Sequence, residues 1–144
     1  IFKYNGTLDK FIGDCIMTIY GAPIPDEKHA DNAVKTAIDI KDHFFKVFKK
    51  EVMKEIGVDL DIGIGINSGP AVVGNIGTHQ RMEFTAISDT VNTAERLESI
   101  ARGGAIYISE ETKNRLKGKF KITEREPVKL KGKADPVKVY EVLK

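Results

Sequence analysis

Two short segments hold side chains whose types and spacing could do chemistry. In Leu8-Asp9-Lys10-Phe11-Ile12-Gly13-Asp14 a carboxylate follows a glycine between two β-prone runs. A carboxylate at a turn can hold a hard cation such as Mg²⁺, which takes oxygen ligands and keeps several waters. Taken alone, Asp14 reads as a solvated turn residue, because aspartates are common in turns. In Phe84 to Leu97, Asn92 and Arg96 are four apart, so a helix would put them on one face. An amide and a guanidinium aimed together can clamp a sugar and a phosphate. Thr85 lies just before that helix. Spacing alone is also met by an amphipathic helix with a surface arginine.

These residues need elements to position them. Leu8–Ile12 and Ile16–Tyr20 flank Gly13-Asp14, which predicts a hairpin with a two-residue turn of the primed type and Asp14 at its tip. After Pro23 and Pro25 a helix is expected over 26–56, in one or two pieces, from the spacing of Ala30, Ala33, Val34, Ala37, Phe44, Phe45 and Phe48. His29 and His43 fall on it as solvated histidines. Residues 58–66 alternate apolar and polar or glycine, predicting a strand, with Asp59 and Asp61 on its solvated side. Residues 71–77 read as a short strand whose glycines make no P-loop, because no Gly-Lys-Ser/Thr follows. Another short strand covers 84–87. Ser88 or Asp89 then caps a helix to about Ile100, closed by Gly103-Gly104. A strand at 105–108, a short helix at 109–116, and strands and turns to the end complete the chain. The pattern predicts an α/β or α+β sandwich, helices packed on one sheet.

Composition sets outer limits. A chain of 144 residues with 41% hydrophobic content suits one domain with a core. A net charge of +2 gives no reason to expect nucleic acid as partner. Cys15 is the single cysteine, so no intrachain disulfide forms and a reducing, cytoplasmic setting fits. No apolar run approaches about 18 residues, so no membrane contact is expected of this segment, although it could be the cytoplasmic part of a larger, membrane-anchored protein.

Together the two segments resemble the class III adenylate and guanylate cyclase catalytic domains. Lys10-Phe11-Ile12-Gly13-Asp14 with Ile16-Met17 is similar to the family's hairpin motif. Thr85 through Arg96, with Asp89-Thr90-Val91-Asn92 inside, is similar to its second signature, and Lys131-Gly132-Lys133 to a third. The three occur in the family's order and span essentially the whole chain. The resemblance implies a ferredoxin-like α/β sandwich and a reaction: ATP to 3′,5′-cyclic AMP and pyrophosphate, assisted by two Mg²⁺ or Mn²⁺ ions. It implies that Asp14 holds the metal ions, Lys10 and Thr85 read the purine, Asn92 orients the ribose and Arg96 stabilises charge on the α-phosphate. Lys131 would bind the triphosphate, with Lys133 the alternative. It also implies a homodimer with composite sites between two catalytic domains.

The purine pair argues for ATP. Adenine offers an acceptor at N1 and a donor at its exocyclic amine, which suit a lysine donor and a threonine acceptor. Guanine reverses that edge, and guanylate cyclases of the family typically carry Glu at the lysine position. Threonine in place of the Asp of many adenylate cyclases is familiar from cyanobacterial and soluble-type enzymes, some of which respond to bicarbonate. The family's other metal aspartate lies upstream of the hairpin motif, in a strand that has no counterpart in this sequence. The domain is therefore expected to lack its N-terminal strand and helix, and the fragment alone to be impaired. Guanylate cyclase activity and an inactive cyclase-like dimerisation module are the competing readings.

Overall fold

The computed structural model describes residues 1–78, 80–129 and 135–143. The α+β class expected from the sequence is the class observed. A hairpin, β1 (Thr7–Ile12) and β2 (Cys15–Ile19), comes first. Helix α1 (His29–His43) follows, runs through a wider π turn at Phe44–Phe48, and continues as α2 (Lys49–Ile56). The remaining elements are β3 (Ile64–Ile66), β4 (Val72–Thr78), β5 (Arg81–Ile87), α3 (Asp89–Ile100), β6 (Ile106–Ser109), α4 (Glu110–Arg115), β7 (Ile122–Glu124) and β8 (Val139–Val142). The main sheet is four-stranded in the order β3-β6-β8-β7, and β1-β2 and β4-β5 form separate antiparallel pairs.

The core forms on both faces of the main sheet. Val34 and Ala37 of α1 pack on Ile106, Ile108, Tyr140 and Val142, with Ile64 and Ile66 alongside. Leu97 of α3 packs on Val139, with Ile100 and Tyr107 beside it. Adjacent residues of β6 and β8 thus serve opposite clusters, as side chains must on a pleated strand. Fully burying one such aliphatic side chain contributes roughly 1.5–3 kcal/mol.

Three boundaries differ from expectation. The helix starts at His29, because Asp26 forms a turn: its Oδ1 accepts from Lys28 N at 2.8 Å and its Oδ2 from Asn32 Nδ2 at 2.8 Å. It ends where Gly57 takes φ 69°. The strand expected over 58–66 shrinks to three residues. Asp61 Oδ2 accepts from Gly103 N at 2.7 Å, while Lys49 pairs with Asp59 at 2.9 Å, so side chains hold the first half in place of a ladder. Within β3, Gly65 is required by packing: a Cβ there would lie 2.2 Å from Glu98 N and 2.3 Å from Ala94 O on α3. The two short strands expected at 71–77 and 84–87 are instead one longer hairpin, in register from Val72↔Ile87 through Gly77↔Met82.

Candidate functional site

The β1–β2 hairpin turns at Gly13-Asp14, with Ile12 opposite Cys15. Gly13, at φ 62°, supplies the positive φ that primed turns need. Asp14 is therefore exposed at the hairpin tip, as expected. Below the tip the register shifts. Leu8 pairs with Thr18 and Lys10 with Met17, leaving Asp9 as an extra residue in β1. Such a bulge re-aims side chains that would otherwise alternate between faces.

The bulge has a chemical consequence. Asp9 Oδ2 accepts a hydrogen bond from Thr85 Oγ1 at 2.7 Å. Lys10 Nζ lies 3.8 Å from Asp9 Oδ1 and donates to Glu83 Oε2 at 3.2 Å. Glu83 and Thr85 are two apart on β5, so they face the first hairpin together. Lys10 and Thr85, far apart in sequence, are thus joined through a buried carboxylate and bordered by a second one. An open cleft of ≈ 650 Å³ runs beside them, lined by Thr7, Leu8, Asp9, Lys10, Phe11, Glu83 and Phe84. That size is within the range of small-molecule sites. Lys10 lines this cleft and Thr85 lies behind Asp9, a lysine donor and a hydroxyl of the kinds that can read the edge of a heterocycle.

Helix α3 is held in place from several sides. Ser88 Oγ accepts from Val91 N at 3.3 Å as its cap, and Asp89 sits in the favourable first turn. Asn67 Nδ2 donates to Thr90 O at 2.9 Å, while Asn67 Oδ1 accepts from Ser109 Oγ at 2.6 Å. Thr90 Oγ1 donates to Pro70 O at 2.8 Å. With Leu97 fully buried, this framework fixes the helix that carries Asn92 and Arg96. Asn92 is exposed and Arg96 is half-buried. Arg96 Nη1 is itself buried with no hydrogen-bond partner. A guanidinium nitrogen so placed is costly unless an acceptor reaches it, and anionic oxygen is its best acceptor.

The structure therefore joins Lys10 to Thr85 and places Asn92 with Arg96. No hydrogen bond ties Asp14 to either group among the described residues. Lys131 and its alternative Lys133 lie outside the described residues. The exposed carboxylate of Asp14 suits one position in a hard-cation site. Among the described residues, however, no group of three or more His, Cys, Asp or Glu side chains could hold a metal. The described residues offer one ligand and do not build a complete metal site. Cys15, next to Asp14, has its thiol pushed up, first by desolvation and then by the carboxylates of Glu98, Asp14 and Glu95.

Sequence reasoning missed Asp9 and Glu83. Glu83 was accessible, since it shares a strand face with Thr85. Asp9 was not, because strict alternation would turn it away from Lys10, and only the bulge reverses that. Among the described residues no helix is long and apolar enough to cross a membrane.

Comparison with known proteins shows the family. Residues 7–144 match the family described as the adenylate and guanylate cyclase catalytic domain. Adenylate cyclase 1 of Rhizobium meliloti is 30% identical over 99% of this chain, which spans 22% of that relative. The guanylate cyclase soluble subunit beta-2 of Rattus norvegicus is 34% identical over 85% of this chain, which spans 17% of it. Among solved structures, the adenylyl cyclase CyaB from P. aeruginosa superposes with a TM-score of 0.92 at 37% identity, covering 99% of this chain and 74% of that one.

Proposed function

We propose a specific reaction for this chain, which belongs to the adenylate and guanylate cyclase catalytic-domain family: conversion of ATP to 3′,5′-cyclic AMP and pyrophosphate. The observation that carries the choice of ATP is the Lys10–Asp9–Thr85 cluster. Lys10 donates to adenine N1 and the Thr85 oxygen accepts from the exocyclic amine. Guanine would face each group with the wrong polarity, an unpaired contact that costs about 1–3 kcal/mol.

The other residues divide the remaining work. Asn92 orients the ribose so that its 3′-hydroxyl stays near the α-phosphate, which supplies the proximity term. Arg96 puts a fixed guanidinium where charge builds on the α-phosphate; its unpartnered buried nitrogen supports this role. Lys131 attends the triphosphate. Asp14 would hold a divalent cation, which when bound neutralises the leaving pyrophosphate and activates the attacking hydroxyl.

A homodimer with sites shared between two copies goes with this reading. Phe11, Ile12 and Ile16 of one hairpin and Val72, Met82 and Ile87 of the other are all exposed, at 56–71%. Exposed apolar side chains in such number mark an association surface. The test is turnover of ATP against GTP, with Mg²⁺ or Mn²⁺, by the protein that carries this domain. ATP should be preferred in kcat/KM, with cyclic AMP as product. Preference for GTP would establish the guanylate reading, which similarity to guanylate cyclases keeps in view. Absence of turnover with an intact dimer would establish a non-catalytic module.

A further inference from the structure

We infer that Asp9 is a positioning residue that sets the base preference of the site by fixing the direction of the Thr85 hydroxyl. The inference rests on the reading of Lys10 and Thr85 as the purine pair and adds to it a residue that touches no nucleotide. A threonine hydroxyl can donate or accept and so, left free, suits either an amine or a carbonyl. Here it is not free. Its proton is committed to Asp9 Oδ2 at 2.7 Å, which leaves only oxygen lone pairs for a second partner. Such an acceptor matches the exocyclic amine of adenine and opposes the O6 carbonyl of guanine.

Three independent features of Asp9 agree with this role. Its side chain is fully buried, 0% exposed, where an ionised group is costly and needs a reason. Its Oδ1 is buried without a hydrogen-bond partner, although the Lys10 ammonium stands 3.8 Å away. The chain also spends a β-bulge on it, departing from regular pairing between Leu8 and Lys10. Without the bulge, Asp9 and Lys10 would point to opposite faces of β1. With it, one carboxylate orients the hydroxyl and attracts the ammonium, so both members of the purine pair are set together.

The test is the ratio of kcat/KM for ATP to that for GTP, measured on the protein carrying this domain. A purely structural defect lowers both kcat/KM values alike and leaves the ratio in place. Asp9→Asn keeps the shape but changes the polarity. The amide oxygen turns to the Lys10 ammonium and the amide NH₂ to Thr85, so the hydroxyl now donates to its second partner. The ratio should fall about tenfold, the worth of one hydrogen bond reversed. Asp9→Ser, neutral and smaller, should lower it too and serves if the amide variant does not fold. In a Thr85→Val background Asp9→Asn should change the ratio less than it does with Thr85 in place, because the hydroxyl is gone and only the Lys10 ammonium is left for it to act through. An unchanged ratio in Asp9→Asn or Asp9→Ser, in a protein that prefers ATP and loses that preference in Thr85→Val, overturns the role of Asp9 and leaves the purine-pair reading standing. If the unmodified protein does not prefer ATP, or Thr85→Val keeps its preference, the purine-pair reading fails and the role of Asp9 with it.

Discussion

The main sheet and the two hairpins use apolar residues in opposite ways. In the sheet, Ile106, Ile108, Val139 and Val142 are at most 1% exposed and covered by α1 on one face and α3 on the other. In the hairpins, Phe11, Ile16, Val72 and Met82 are more than half exposed. The chemistry-bearing residues follow the same division. Asn92 and Arg96 ride on a helix anchored to the sheet, whereas Lys10, Asp14 and Thr85 belong to hairpins. The buried core and the exposed apolar surface are thus carried by different parts of the chain. The sheet, together with Ser88, Asn67 and Pro70, fixes the helix that carries Asn92 and Arg96. The hairpins hold the Lys10–Asp9–Thr85 cluster and an exposed apolar surface.

Substitutions can break or sharpen that division. The largest effect is expected at Arg96. Arg96→Ala should lower kcat for cyclisation by about 10²–10³, the worth of one fixed donor at a developing anion, with little change in melting temperature. A drop in stability matching the drop in rate would show instead that Arg96 belongs to the framework. Next comes Leu97→Ala, one position along the same helix but buried. It should cost about 2–5 kcal/mol in urea unfolding, because it leaves a cavity against Val139. A cost below 1 kcal/mol would mean that α3 is not held by the sheet. Ser88→Ala removes the cap of α3 and should cost about 1 kcal/mol, with Ser88→Asp restoring it.

On the hairpins the same measurements should read differently. Phe11→Ser removes an exposed side chain and should change monomer stability by no more than about 0.5 kcal/mol. Its effect should appear in sedimentation, as weaker self-association. Unaltered association would remove the hairpin from the interface. The smallest effect concerns pH. The backbone N–H of Gly103 holds the Asp61 carboxyl below its ordinary range. A depressed folded-state pKa stabilises the fold above the unfolded value, near pH 4, and that contribution is lost as pH falls through the folded value. Asp61→Asn should therefore slightly flatten the decline in thermal stability between about pH 5 and pH 2. An unchanged slope would show that the bond contributes nothing to folding.

Much of this was legible in the residues. Helical spacing from Ala30 to Ala37 named the face that α1 buries, since a helix repeats every 3.6 residues whatever surrounds it. Gly13-Asp14 announced a two-residue turn because only positive φ closes it, and Ser88 announced a cap because its oxygen reaches backbone N–H groups two or three residues on. The segments that carry Lys10, Asp14, Thr85, Asn92 and Arg96 stand in the chain as well, but types and spacing left each with an ordinary structural explanation, and the resemblance to the cyclase family is what singled those residues out. What the chain alone could not decide was set by partners distant in sequence. Residues 58–63 alternate like a strand, yet side chains of Asp59 and Asp61 take up Lys49 and Gly103 there. Residues 71–87 form one hairpin because each half finds the other across a turn with no strong local signal. The bulge at Asp9 is the clearest case. Alternation puts neighbours on opposite faces, and only the packing of two hairpins, with Thr85 and Glu83 opposite, makes it favourable for Asp9 and Lys10 to turn the same way. So the sequence by itself determined which groups were available for chemistry, and tertiary structure decided which of them meet.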